Sequence, residues 1–186
     1  MLSTPHVVLV AGPPASGKST TGGVLARSLH AALLDQDRLT NPLMDVVTEL
    51  VGAREYGDAA VASISRDARY ECVFRAAEDA VSSGVSAVAV APFTRECRDP
   101  DAWSGVESRF SELGAHAVLV WIDVDPQEIA RRMRGRAATR DSLKLADLDG
   151  YLATLDTARP EVPHIAVDGT APADVQATRV RRALLG

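Results

Sequence analysis

Short apolar runs punctuate the chain at residues 7–11, 31–34, 85–91, 115–122 and 165–167. Each is continuous rather than alternating, the pattern of a strand buried on both faces of a parallel sheet. Between them the spacing becomes helical. After Gly17, Val24, Leu25 and Leu29 share one side while Arg27 and His30 lie elsewhere. Over 58–83 the positions Val61, Ile64, Ala68, Cys72, Ala76 and Ala80 step by three or four, opposed by Arg66, Glu71, Arg75, Glu78 and Asp79. That spacing predicts a long amphipathic helix, with Gly84 as its C-terminal stop. Asp125, Pro126 and Glu128 supply a cap, a first-turn proline and an acid three residues after the cap, which starts another helix. Further helices are expected over 100–113, 145–155 and 173–185. The stretch 38–58 mixes Pro42, Gly52 and Gly57 with the apolar segment 43–51, and reads as a connection holding a short helix.

Strands alternating with helices call for an α/β architecture whose parallel sheet is covered on both faces. With no internal repeat, low-complexity segment or linker, the 186 residues form a single domain, 1–186. Aromatics are only 4%, so the core rests on Ala, Val and Leu, which suits helices packed close to the sheet. Trp103 and Trp121 are expected in that core. Cys72 and Cys97 are the only cysteines, too few for a disulfide scaffold or a four-ligand zinc site, and both read as buried small apolar residues. The four histidines have no ligand spacing. No apolar run approaches the ~18 residues of a membrane span, and no basic segment precedes the first run, so the chain reads as cytoplasmic. The net charge of −5 argues against coating long nucleic acids or an anionic membrane.

Between the first strand and the first helix lies Gly12-Pro13-Pro14-Ala15-Ser16-Gly17-Lys18-Ser19, the G-x-x-x-x-G-K-[ST] pattern in the strand–turn–helix setting that it requires. From average composition the pattern arises by chance in roughly one chain in a hundred of this length. The turn needs backbone freedom at Gly12 and Gly17, and it aims successive N–H groups at a site facing the positive end of the next helix. The pattern assigns Gly12, Pro13, Ala15, Ser16, Gly17, Lys18, Ser19 and Thr20 to a di- or triphosphate. Lys18 reaches the β- and γ-phosphates, Ser19 ligates Mg²⁺, and Thr20 lies near the α-phosphate. Strand 86–91 ends in Ala-Pro-Phe-Thr, without the magnesium-organising Asp of most large ATPases and GTPases, which counts against motor, switch and AAA+ readings.

Asp35-Gln36-Asp37 closes the second strand, at the sheet edge where ligands of open parallel sheets collect. If the strand stays extended, the two carboxylates point opposite ways, one toward a magnesium shell and one toward an acceptor hydroxyl. The alternative is that one Asp caps the following segment. Here the chain resembles the small P-loop kinases: shikimate kinase, gluconate kinase, chloramphenicol phosphotransferase and the zeta-toxin-like kinases. The resemblance spans nearly the whole chain in element order, with the phosphate loop as its specific motif. It implies a three-layer P-loop NTPase fold with a five-stranded parallel sheet ordered 2-3-1-4-5, helices on both faces and a short lid. It also implies Asp37 as catalytic base and Asp35 as a magnesium or water partner. The His that follows the acidic pair in gluconate kinases is missing from Arg38-Leu39-Thr40-Asn41, as is the Asp-Gly-x-Pro-Arg signature of adenylate kinases. Those departures disfavour gluconate and ordinary nucleoside monophosphates as substrates.

Arg132, Arg136 and Arg140 recur every four residues, a cationic stripe on a continuous helix. In the resembled kinases this stretch, about 132–145, is the lid, whose arginines neutralise the transferred phosphoryl group. Arg136 and Arg140 are the expected lid residues, while Arg131 and Arg134 are solvated. An acceptor-binding insert is expected at about 38–58. Acceptor contacts are expected from Arg38 in that insert, from the long-helix face bearing Arg66, Arg69 and Tyr70, and from Thr94, Arg95 and Arg98 in the loop after the third strand. The function expected is transfer of the ATP γ-phosphate to a hydroxyl of a small molecule such as a sugar, sugar acid or antibiotic, by a monomer or homodimer. Two alternatives stay open: a polynucleotide or tRNA-end kinase, and a non-catalytic ATP-binding regulatory protein.

Overall fold

The computed structural model describes residues 4–53, 58–136 and 147–185. Five parallel strands form one sheet: β1 (His6–Ala11), β2 (Ala32–Asp35), β3 (Ala87–Val90), β4 (His116–Asp123) and β5 (Ile165–Asp168). Their order is β2-β3-β1-β4-β5, the order that the sequence resemblance implied. β1 is central, with Val7 beside Ala87 of β3 and Ala117 of β4. Its residues divide between two cores by the period-two alternation of a strand. Val7, Leu9 and Ala11 join one cluster with Val73, Phe74, Trp103 and Phe110, while Val8 and Val10 join another with Leu25, Ile129, Met133 and Val180.

The first cluster is covered by α3 (Ala59–Ser82) and α5 (Pro100–Ser111). The second is covered by α1 (Lys18–Leu29), α6 (Pro126–Arg136), α7 (Leu148–Thr154) and α8 (Ala173–Leu185). The close approach expected from the small-residue core is visible at Gly22 of α1, where any Cβ would collide with Val90. Trp103 and Trp121 are both in the core. No described helix is long and apolar enough to cross a membrane.

Three expectations need correction. The connection expected before residue 58 is mostly α2 (Gln36–Val51), which starts directly after β2. Asp35 nucleates it by accepting from the Asp37 and Arg38 N–H groups, and the helix tolerates Pro42 in its interior. The strand therefore ends at Asp35, and Asp37 lies in a helical first turn rather than on an extended continuation. Second, the core face of α3 is partly turned from the predicted one: Val61 is buried and Ala76 and Ala80 pack against the core as expected, but Ser65, Val73, Phe74, Ala77 and Val81 are also buried, whereas Ile64 is 62% exposed and Cys72 is exposed. Phe74 packs between the rings of Phe93 and Phe110, and those large contacts outweigh the Ala/Cys stripe. Third, the segment after β3 is not all loop but carries the short α4 (Thr94–Arg98).

Candidate active site

The phosphate loop leaves β1 at the carboxyl edge of the sheet, with Gly12 at φ 148°, Ala15 at φ 59° and Gly17 at φ 103°. Two of these positive-φ positions are glycines, as the sequence demanded; Ala15 pays the small strain of a left-handed non-glycine residue. Gly17 is the N-cap of α1, whose start has neither a side-chain cap nor an acidic residue in the first turn. Its first N–H groups are therefore left for an external anion. The Ser16 hydroxyl is buried with no hydrogen-bond partner, and a Cβ on Gly12 would stand 2.9 Å from it. An uncapped helix start, an orphaned buried hydroxyl and a cradle open only to glycine fit the polyphosphate that the motif predicts. Lys18 Nζ folds back to donate to the Gly12 and Pro13 carbonyls, both at 2.9 Å, which places its charge over the loop. Ser19 and Thr20 are exposed on the first turn of α1. The hard oxygen of Ser19 suits Mg²⁺, and no described cluster of His, Cys, Asp and Glu forms a separate metal site.

Arg132 of α6 was expected as part of a lid stripe, yet it is built into the loop's scaffold. Its Nη1 donates to the Ser16 carbonyl at 2.9 Å and the Ala15 carbonyl at 3.3 Å, its Nη2 to the Gly169 carbonyl at 2.7 Å, and its Nε to Glu128 at 2.7 Å. Arg131 is solvent-facing as expected, paired with Glu128. Two arginines hold the Glu128 carboxyl at about 2. Arg136 is the last residue of α6, and Arg140 with most of the expected lid lies outside the described residues.

A second wall rises from α2, α3 and α4. Asp37, on the first turn of α2, is half exposed and pairs with Arg69 of α3 at 2.7 Å. Arg69 also donates to Thr40 and Asn41. One turn before it, Arg66 donates to the Thr94 hydroxyl at 2.5 Å, so two expected acceptor residues meet across the crevice. Behind them lie Tyr70, stacked at a tilt on Phe93, and Glu96, which sequence reasoning missed. Glu96 is 8% exposed and its Oε2 has no partner. Burial raises both its carboxyl and the Tyr70 phenol above their ordinary ranges, the latter helped by the Glu96 charge. A lone acid beside basic neighbours gives no sequence signal of burial.

The remaining expected residues divide. Asp35 is buried and spends one oxygen as the α2 cap, the alternative left open by the sequence. Arg38 is exposed on α2, and Arg95 is exposed with a long contact to Asp99. Arg98 departs from its expected acceptor role. It donates to the Ala158 and Arg159 carbonyls and pairs with Asp156, strapping that segment to α4. Cys97 beside it is buried, and burial pushes its thiol up to about 12, which disfavours the reactive thiolate.

Comparison with known proteins fits this geometry. A family model described as an AAA domain matches residues 7–160. The chain is 34% identical over 160 residues to a shikimate kinase of Corynebacterium efficiens, covering 86% of this chain and 82% of that protein. The APS kinase of Mycobacterium tuberculosis, solved with AMPPNP and APS, shares the fold at TM-score 0.68 and 18% identity, over 98% of this chain and 99% of that one. A gluconokinase from Sinorhizobium meliloti does so at TM-score 0.60 and 20% identity, over 97% and 92% of the two chains. The family match also corrects the expectation drawn from the third strand: a missing Asp there does not remove the chain from AAA-type P-loop domains.

Proposed function

The chain belongs to the AAA-domain family of P-loop proteins and, as a homologue of shikimate kinase, is an ATP-dependent small-molecule kinase; from that premise we propose how its residues carry the transfer. The supporting observation is an uncapped phosphate loop and the carboxylate of Asp37 standing at the same sheet edge, two strand positions apart. Lys18 and the loop amides from Ala15 to Thr20 bind the β- and γ-phosphates. Mg²⁺, held by Ser19 with Asp35 as an outer partner, would neutralise charge between those phosphates. Asp37 accepts the proton of the acceptor hydroxyl as the bond from its oxygen to the γ-phosphorus forms and the bridging P–O bond breaks, releasing ADP. Arg136 and Arg140 close from the lid onto the transferred group. The acceptor lies against Arg66, Thr94 and Tyr70, in the wall opened by α2, in the cytoplasm where ATP is available.

Two conditions shape this acceptor. It must offer a hydroxyl to Asp37, and Arg66 favours a carboxylate or phosphate at its other end. The test is ADP release with ATP and Mg²⁺ against shikimate, gluconate, other sugar acids, sugars, aminoglycosides and nucleosides. One acceptor class should raise turnover well above the rate with water, and Asp37→Asn should lower it by roughly 10²–10⁴-fold. Full turnover by Asp37→Asn with that acceptor would remove Asp37 from the base role.

A further inference from the structure

Arg66 and Arg69 stand three residues apart on α3 and face the same crevice, yet their guanidinium groups are committed differently. Arg66 spends an Nη2 hydrogen on Thr94. Arg69 spends its entire Nε/Nη2 edge on α2: Nε on Thr40 Oγ1 at 2.8 Å, and Nη2 on both Asp37 Oδ1 at 2.7 Å and Asn41 Oδ1 at 3.0 Å. That edge is the one a guanidinium uses to grip a carboxylate or phosphate side-on. With all three of its hydrogens taken, Arg69 is a poor receptor for an anionic acceptor. Its side chain is only 18% exposed, against 52% for Asp37.

The direction of the bonds extends this point. The Thr40 hydroxyl gives its single proton to the Gln36 carbonyl at 2.7 Å, so it meets Arg69 only as an acceptor. Thr40 is 4% exposed and out of an acceptor's reach. Gln36, Thr40 and Asn41 therefore anchor the guanidinium to the first turns of α2, and the anchored guanidinium fixes one oxygen of Asp37 on the same helix. A carboxylate half exposed on a helical first turn has several rotamers open to it, and the bond from Arg69 favours one of them. We propose that Arg69 is a positioning residue, which holds the Asp37 carboxylate in the orientation that receives the acceptor proton, and that the acceptor's anionic end belongs to Arg66. This rests on Asp37 being the base.

The experiment compares Arg69→Gln, Thr40→Val, Arg66→Gln, Asp37→Asn and the Arg69→Gln/Asp37→Asn double variant. ADP release is followed with the best acceptor of the panel above, and with water as acceptor if none exceeds it, alongside melting temperature. Arg69→Gln should lower kcat about tenfold or more with acceptor KM within about threefold, as misplacement of a reacting group does. Thr40→Val should repeat the kcat loss in weaker form, which a substrate-binding role for Arg69 does not predict. The double variant should be no slower than Asp37→Asn alone. With an acceptor in use, Arg66→Gln should instead raise KM. A large KM increase with intact kcat in Arg69→Gln, or additive losses in the double variant, would overturn the proposal. An inactive Asp37→Asn beside a fully active Arg69→Gln rejects the positioning role and keeps the base, whereas a fully active Asp37→Asn rejects the base itself.

Discussion

Ser16 meets two demands at once: its N–H turns back onto the Pro13 carbonyl within the phosphate loop, and its own carbonyl is held by Arg132. Because peptide units are rigid, fixing the carbonyls of Ala15 and Ser16 on the outside of the turn orients the following N–H groups toward the inside. Arg132 thus shapes the phosphate loop through its backbone. Replacing it by Ala strips three main-chain carbonyls of a charged donor, which should cost about 1–3 kcal/mol in urea denaturation. ATP affinity should fall several-fold in the same variant, read by calorimetric titration. Lys18→Ala should differ, with turnover lowered by roughly 10²–10³-fold through loss of a charge that stabilises the transition state. The motif made Lys18 legible in the sequence. Arg132 was visible only as a member of a stripe, because its phosphate-loop partners Ala15 and Ser16 lie more than a hundred residues away and meet it only through the geometry of β4 and α6.

At the scale of elements, what was legible followed local chemistry and what was missed followed tertiary contacts. The strands, the cap at Asp125 and the stop after α3 were all readable from neighbouring residues, and Asp125 does accept from the Gln127 N–H. The rotation of α3 was not readable, because an Ala/Cys stripe and the stripe containing Val73 and Phe74 are both helical. Only the aromatic partners from β3's exit and α5 decide between them. The start of α2 was obscured because Asp35 suits both a metal shell and a cap. These two roles separate by substitution. Asp35→Ala should destabilise the protein by about 1 kcal/mol in chemical denaturation, the worth of an N-cap. Asp35→Asn keeps a side-chain oxygen for the Asp37 and Arg38 N–H groups and should leave stability nearly unchanged. A raised Mg²⁺ requirement for turnover in that Asn variant would then report the magnesium role alone, and an unaltered requirement would leave Asp35 as a cap only.

Over the whole molecule the net charge of −5 conceals an uneven field, with Lys18, Arg66, Arg69 and Arg132 converging on the carboxyl edge of an acidic protein. The carboxylates around that framework give it a two-sided pH response. Glu71, gripped by Arg109 and Arg75, and Glu128, gripped by Arg131 and Arg132, both titrate at about 2 in the folded protein, below the ordinary 4.5. Their contribution is present above that ordinary value and is lost as pH falls through it toward 2. Glu96 has the opposite sign, because burial raises its folded value. Its contribution is fully present below the ordinary carboxyl value and is lost as pH rises through the raised one, because burial penalises the charged form. Melting temperature should therefore fall on the acid side through Glu71 and Glu128, and Glu96 should lower the neutral plateau. Glu96→Gln should raise the melting temperature near neutral pH and change it little at about pH 4, where the native carboxyl is already protonated. Equal gains at both pH values would show that the substitution improves packing rather than removing a titrating group. The sequence offered no basis for this prediction, since the sign of each carboxyl's effect is set by its surroundings: two sit in the grip of arginines, and the third lies on the buried face of its own five-residue helix with an unpaired oxygen.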